Sequence, residues 1–184
     1  MTIFENDPAL GEVLVSQEQL EVVVAELGAQ ITRDYADQRP LLIAVLKGAF
    51  VFMADLVRAI DLDVQMDFMA VSSYGDSTET SGVVRIIKDL DVDMAGRHVI
   101  LVEDIVDSGL TQAYLRKTLA ARHPSSFEVC ALLVRAENAE INRRFRYVGL
   151  ELGPGWVVGY GLDVAERYRN LKEIRAFRTE TLNR

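Results

Sequence analysis

Two adjacent carboxylates and a short run of small, hydroxyl-bearing residues mark the middle of the chain. Glu103 and Asp104 directly follow the apolar run 99–102, and residues 107–111 read Asp-Ser-Gly-Leu-Thr. The apolar run predicts a buried strand, and open parallel sheets bind their ligands at the carboxyl ends of such strands. Small residues at the start of the next predicted helix let backbone N–H groups converge on an anion. The spacing predicts a cradle for a monophosphate.

A purely structural interpretation explains only part of this segment. Asp107 or Ser108 would cap the helix, and Gly109 would relieve the turn. That interpretation leaves Glu103 and Asp104 unexplained, because neighbouring carboxylates repel each other unless a cation or several hydroxyl donors offset their charges. A ribose diol with Mg²⁺ would do both. A Walker-type nucleotide site is excluded here, since no Gly-Lys-Ser/Thr sequence follows a glycine-rich loop.

The elements that must position these residues alternate between helices and strands. Ser16 and Gln19 predict a capping box that begins a helix reaching Tyr35. Further helices are predicted at 50–60 and about 111–122, and strands at 41–46, 64–74, 83–90, 99–102 and 127–134, followed by shorter apolar pieces at 147–152 and 156–158. The polar stretch 75–82 reads as a mobile loop that joins an antiparallel pair. The pattern predicts an α/β domain with a mostly parallel sheet and a cap built from both chain ends.

Composition narrows the class of protein. The chain has 184 residues, 49% hydrophobic and 26% charged, which is typical of one globular domain. Its net charge of −8 argues against a nucleic-acid partner. The single Cys130 precludes an internal disulfide and suits a reducing compartment. No signal peptide or membrane-spanning run is visible, so a cytoplasmic location is expected.

The segment Val-Glu-Asp-Ile-Val-Asp-Ser-Gly-Leu-Thr closely resembles the phosphoribosyl-pyrophosphate signature of the type I phosphoribosyltransferases, in the form typical of bacterial hypoxanthine-guanine enzymes. The resemblance extends to Leu-Lys-Gly-Ala-Phe at 46–50, Val-Ser-Ser-Tyr-Gly at 71–75, and Val-Val-Gly-Tyr-Gly-Leu-Asp at 157–163 with Tyr-Arg-Asn-Leu at 168–171. It implies that fold: a mostly parallel twisted sheet (core about 35–140), a small hood subdomain (about 1–15 and 145–184) and a flexible antiparallel-hairpin lid.

The resemblance also implies a role for each matching residue. Asp107 is the expected catalytic acid/base at purine N7, where a carboxylate within hydrogen-bond reach is chemically sensible. The residues expected to bind the ribose and the 5-phosphate are Glu103, Asp104, Asp107, Ser108, Gly109, Leu110 and Thr111. Pyrophosphate is expected to contact Lys47, Gly48 and Arg169, and the purine Arg135, Trp156 and Val157. The expected lid residues are Ser73 and Tyr74, and the expected Mg²⁺ ligands are Glu103, Asp104 and Asp163. The family also has a non-proline cis peptide at the position of Leu46–Lys47.

For several of these residues, the sequence alone is also compatible with a role that has nothing to do with a substrate. Lys47 with Gly48 is also compatible with a plain exposed turn, and Arg169 with a solvated surface charge. Ser73 and Tyr74 are compatible with a disordered hairpin tip, and Trp156 with the hydrophobic core.

Two departures from the family pattern concern the purine. Arg135 stands where the family usually has a Lys that donates to the purine 6-oxo group, and this exchange is not conservative because Arg is longer and planar. Leu-Gly-Pro-Gly at 152–155 stands where relatives often carry acidic residues. A positive donor at Arg135 still favours 6-oxopurines over adenine, but the ranking of hypoxanthine, guanine and xanthine stays open.

The expected activity is transfer of 5-phosphoribosyl from phosphoribosyl pyrophosphate to N9 of a 6-oxopurine, with a homodimer or homotetramer as the assembly. Rival interpretations are a xanthine-preferring enzyme, a uracil-using regulatory protein that binds RNA, and a silent sensor of phosphoribosyl pyrophosphate. The RNA-binding rival lacks a basic run in this acidic chain. Retention of Asp107, Lys47 and Arg169 argues against the silent sensor.

Overall fold

The computed structural model describes residue 4 and residues 6–73, 84–107, 109–135 and 145–183. Over these residues the chain forms two β-sheets and three α-helices. In chain order the elements are β1 (Leu10–Val15), α1 (Gln17–Asp34), β2 (Leu41–Leu46), α2 (Phe50–Ala59), β3 (Gln65–Ser73), β4 (Val84–Lys88), β5 (His98–Val106), α3 (Leu110–Ala120), β6 (Ser126–Arg135), β7 (Tyr147–Leu152), β8 (Trp156–Val158) and β9 (Ile174–Phe177). A 3-10 helix, Thr179–Asn183, follows β9.

The larger sheet has six strands in the order β4-β3-β2-β5-β6-β7. Strands β3, β2, β5, β6 and β7 are parallel, and β4 pairs antiparallel with β3, as the sequence predicts. Because side chains alternate along a strand, β2 serves two cores. Leu42 and Ala44 pack on the face covered by α1 and α2, whereas Leu41 and Ile43 pack on the face covered by α3. This two-sided burial explains the unbroken apolar run of the central strand.

Helix α1 begins where the sequence predicts. Gln19 N donates to Ser16 Oγ (3.3 Å) and Ser16 N donates to Gln19 Oε1 (2.8 Å), which completes the capping box. The helix buries Leu20, Val24, Leu27 and Ile31 at three- and four-residue spacing. No helix in the described ranges is long and apolar enough to cross a membrane.

Strand β5 is longer than its apolar run. The sequence predicts a strand over 99–102 followed by a loop, but the strand continues to Val106 because Ile105 and Val106 pair with Leu133 and Val134 of β6. The pairing of a long neighbour extends the strand through its two carboxylates. Glu103 and Asp104 therefore lie within β5 and point to opposite faces of the sheet.

The smaller sheet brings the two ends of the chain together. Its order is β1-β9-β8, with both pairings antiparallel. Strands β1 and β9 were not predicted individually, since each is short and carries charged residues. Strand β7 belongs to the larger sheet, so the C-terminal contribution to the smaller sheet starts at Trp156.

Candidate functional site

A cleft of about 610 Å³ opens at the carboxyl ends of β2, β5 and β6, and the smaller sheet and its loops form its other wall. It is lined by Lys47, Gly48, Asp104, Ile105, Asp107, Arg135, Pro154, Gly155, Trp156, Val157, Leu162, Asp163 and Arg169. Nine of these are residues that the sequence singles out, drawn from four separate segments of the chain. The fold thus brings most of the predicted site together at the sheet edge where ligands bind in open α/β folds.

The predicted phosphate-binding turn joins β5 to α3. Asp107 follows the last residue of β5, and Gly109 is the N-cap of α3 with a left-handed φ of 72°. Gly109, and not Asp107, occupies the cap position, so the interpretation of Asp107 as the helix cap is wrong. Leu110 and Thr111 lie in the first turn of α3, where backbone N–H groups without partners inside the helix can bind an anion. Ser108 lies outside the described residues.

Glu103 is buried below the cleft rather than lining it. Its side chain is hydrogen-bonded to Gln112 of α3, one carboxyl oxygen has no partner among the described residues, and the residue is 4% exposed. Burial, reinforced by repulsion from Asp104, raises the pKa of Glu103 to about 8. Burial also raises the pKa of Asp104, which does line the cleft. The predicted carboxylate pair is therefore divided between the cleft and the layer beneath it.

The two cations predicted to hold pyrophosphate meet at one carboxylate. Lys47 Nζ lies 3.1 Å from Glu166 Oε1, and Arg169 Nη2 lies 3.3 Å from Glu166 Oε2. These partners lower the pKa of Glu166, the Lys47 hydrogen bond most strongly. Arg169 Nη2 also pairs with Asp163 Oδ1 at 2.7 Å, and its side chain is only 19% exposed. Arg169 is therefore part of a built ion-pair network and not a solvated surface charge.

The backbone approaches this network closely at the predicted pyrophosphate turn. The Leu46–Lys47 peptide bond is cis, as the family resemblance implies. A Cβ atom added to Gly48 would overlap the carboxylate of Asp104. A side chain at position 48 would therefore displace the carboxylate of Asp104, because the turn after β2 lies directly against that side chain of β5.

The predicted purine wall lies across the cleft from Lys47. Trp156 is 60% exposed, so the interpretation of this ring as part of the core is wrong. Val157 next to it is buried and pairs with Ala176 of β9. Arg135, the last residue of β6, is 9% exposed and places its Nε 3.6 Å from Asp107 Oδ1.

The predicted lid residues fall at the border of what the structure describes. Ser73 is the last residue of β3, and Tyr74 lies outside the described residues. Their role as a lid stays a prediction.

Sequence reasoning missed two residues that contact the site. Gln112 holds Glu103, and Glu166 joins the two cations. Gln112 falls on the third position of α3, where it faces β5, and Glu166 stands three residues before Arg169. Both spacings were visible, but only the folded chain brings Lys47 to Glu166 and turns Gln112 toward Glu103.

Comparisons with known proteins agree with this geometry. The model of the phosphoribosyl transferase domain family matches residues 12–165. The chain is 52% identical over 168 residues to a hypoxanthine-guanine phosphoribosyltransferase of Mycobacterium tuberculosis (88% of this chain, 83% of the relative). It is 50% identical over 163 residues to the one of Bacillus subtilis (89% and 91%).

Solved structures show the same likeness. The crystal structure of a hypoxanthine-guanine phosphoribosyltransferase from Bacillus anthracis matches with a TM-score of 0.84 and 44% identity, covering 92% of this chain and 99% of that chain. The family match, the identity of the relatives and the arrangement of the cleft agree. This chain belongs to the phosphoribosyl transferase family, among its hypoxanthine-guanine members.

Proposed function

We propose that the protein transfers the 5-phosphoribosyl group of phosphoribosyl pyrophosphate to N9 of hypoxanthine or guanine, giving IMP or GMP and pyrophosphate. The observation that carries the proposal is the cleft itself. Lys47, Asp107 and the exposed ring of Trp156 all line it, and α3 begins shortly after Asp107 in the chain. A cation, a carboxylate and an aromatic surface around one space support a site for a phosphorylated sugar and a purine.

Each wall suits one part of the reaction. The N–H groups at the start of α3, from Gly109 to Thr111, hold the 5-phosphate, with Ser108 proposed to add its hydroxyl. Asp107 accepts or returns the purine N7 proton. The two cations, Lys47 and Arg169, take the charge of the leaving pyrophosphate once it replaces Glu166. Ser73 and Tyr74 are proposed to close over the site and exclude water.

The purine is proposed to stack on Trp156, whose exposed ring offers a flat apolar face. The backbone of Val157 pairs with the edge of the base. Arg135 provides positive charge on the side of the 6-oxo group.

The carboxylates suit a Mg²⁺ ion that arrives with the substrate. Among the described residues no group of three or more His, Cys, Asp or Glu side chains is arranged to hold a metal by itself. Mg²⁺ in nucleotide sites usually takes one or two carboxylates together with substrate phosphates and water. Asp104 and Asp163 line the cleft, and Glu103, which has one buried oxygen without a partner among the described residues, precedes Asp104 in β5. Bound there, the ion would neutralise pyrophosphate charge.

We also propose the wider setting of the enzyme. The smaller sheet forms the hood over a single phosphoribosyltransferase domain, and the protein works in the cytoplasm as a homodimer or homotetramer. Its partners are small molecules, with no nucleic acid or membrane among them. The names of the relatives favour hypoxanthine and guanine over the rival substrates xanthine and uracil.

A product assay tests the proposal. Purified protein with phosphoribosyl pyrophosphate and Mg²⁺ is offered hypoxanthine, guanine, xanthine, adenine and uracil separately. Nucleotide from hypoxanthine and guanine supports the proposal, and their rates relative to xanthine measure the effect of Arg135. Failure with every base, in protein that still binds phosphoribosyl pyrophosphate, would leave a binding module of the same fold.

Asp107→Asn tests the acid/base role within that assay. The amide retains the size of the side chain but cannot take the purine proton, so turnover should fall by about 100-fold or more. Binding of phosphoribosyl pyrophosphate, measured by calorimetry, should stay within about threefold. Unchanged turnover would remove Asp107 as the base.

A further inference from the structure

Arg135 is hydrogen-bonded to the backbone of the loop that leads to Trp156. Its Nη1 donates to the carbonyl of Gly153 and its Nη2 to the carbonyl of Gly155, both at 2.7 Å. Both bonds leave one planar guanidinium group, so a single side chain holds two carbonyls of the same loop. The side chain is almost fully buried by this arrangement.

The loop that Arg135 contacts is short and contains two glycines. Residues 153–155 connect β7 in the larger sheet to β8 in the smaller one. Gly153 and Gly155 have no side chains, and a Cβ atom built on either would contact nothing within 4 Å. Side-chain packing at these two positions therefore does not hold the loop in place. Gly155 has a φ of 120°, a conformation that only glycine adopts readily. A glycine-rich backbone has more conformational freedom than other backbones, and Arg135 links this one to the end of β6 by two hydrogen bonds.

The same guanidinium faces the acid/base carboxylate. Arg135 Nε lies 3.6 Å from Asp107 Oδ1, at the beginning of the phosphate-binding turn. One side chain thus contacts the wall that holds the purine ring and the carboxylate expected to serve purine N7. A lysine at this position keeps the positive charge, but its single nitrogen cannot make the same fork with two carbonyls.

We propose that Arg135 is a positioning residue that fixes the Gly153–Gly155 loop, and with it Trp156, against Asp107 to shape the purine pocket. Its part in base recognition rests on the function proposed above. The role differs from that of a simple donor to the 6-oxo group, because it acts on every purine alike. Loss of the fork should loosen the pocket even when a positive charge remains.

The first test needs no substrate. Trp156 is the only tryptophan of the chain and directly follows the Gly153–Gly155 loop, so its fluorescence reports changes in the conformation of that loop. In ligand-free Arg135→Lys, acrylamide should quench this fluorescence about twofold more efficiently than in the parent protein, in line with a released loop. Arg97→Lys is the matched control, because Arg97 bonds to Gln65 at the opposite end of the sheet. Quenching equal to that of the parent protein would overturn the proposal.

The second test separates positioning from donation. Calorimetry compares binding of IMP with binding of purine riboside 5′-monophosphate, which lacks the 6-oxygen. Positioning predicts that Arg135→Lys weakens both nucleotides alike, by about tenfold, which corresponds to one lost charge-assisted bond. Binding of phosphoribosyl pyrophosphate should stay within about twofold. A loss confined to IMP, or none at all, would overturn the proposal and leave Arg135 as a donor only.

Gly155→Ala provides an independent check on the same contact. A side chain at φ 120° displaces the backbone that carries the second carbonyl, so this variant and Arg135→Lys should remove one shared interaction. The double variant should bind IMP about as weakly as the weaker single variant, and fully additive losses would contradict the proposal. If the parent protein fails to bind IMP at all, the proposed function fails, whereas the quenching experiment still decides whether Arg135 holds the loop.

Discussion

The stability of the metal-free protein should fall as the pH rises through the neutral range. Glu103 has a pKa of about 8 in the folded protein, against an ordinary value of 4.5 in the unfolded chain. Between these values the folded protein holds a proton that the unfolded chain has released. The stabilisation is therefore fully present below pH 4.5 and is lost as the pH approaches 8. Burial raises the pKa of Asp104 as well, so that carboxyl acts in the same direction.

The size of the effect follows from the shift. One pH unit within this window is worth at most about 1.4 kcal/mol for one group. From pH 5.5 to 7.5, Glu103 alone should lower the free energy of unfolding by about 2 to 3 kcal/mol. The measurement is urea denaturation followed by far-ultraviolet circular dichroism at several pH values, with EDTA present to remove divalent cations.

Glu103→Gln is the matched variant. Glutamine keeps the shape and the bond to Gln112 but does not titrate, so the pH dependence between 5.5 and 7.5 should flatten to the part contributed by Asp104. A variant with the same pH dependence as the parent protein would refute the assignment of the buried proton to Glu103. Adding Mg²⁺ with phosphoribosyl pyrophosphate should stabilise the parent protein more at pH 7.5 than at pH 5.5, because the ionised carboxylates bind them best.

Three further substitutions test individual contacts in the cleft. Trp156→Ala should raise the KM for hypoxanthine about tenfold with little change in kcat, because it removes the stacking surface; steady-state kinetics measures this, and an unaltered KM would place the ring outside the pocket. Glu166→Gln should lower the Kd for pyrophosphate about two- to fivefold in calorimetry at low salt, since the two cations lose their internal anion; equal affinity would show that the pairs are immaterial. Gly48→Ala should weaken phosphoribosyl pyrophosphate binding about tenfold or more in the same assay, because its Cβ displaces the carboxylate of Asp104; wild-type affinity would contradict this packing.

Local patterns in the sequence predicted most of the fold and much of the cleft. The helix of Ser16 and Gln19, the buried strand over 41–46 and the turn into α3 each depend on residues close together in the chain. The extension of β5 depends on its pairing with β6, and the short strands β1 and β9 form only because they pair across the whole chain. Such non-local pairings leave no periodic signal in either segment.

The same distinction separates the predicted site residues from the missed contacts. The family resemblance, rather than residue type and spacing alone, assigned Lys47 and Arg169 to pyrophosphate and Arg135 to the purine. The partners of these cations, such as Glu166 and the two loop carbonyls, could not be predicted, because they are fixed by how two sheets face each other.

The division of the cleft between two sheets gives the substrate a second role as a cross-link. The larger sheet provides Lys47 and Asp107, and the segments around the smaller sheet provide Trp156 and Arg169. A ligand that contacts both binds only the assembled pair, so at a hundredfold excess over its Kd it adds about 2.7 kcal/mol to their association. In the empty protein Lys47 instead pairs with Glu166 of the segment before β9. Under the proposed function, each turnover would exchange this internal contact for contacts made by the reactants.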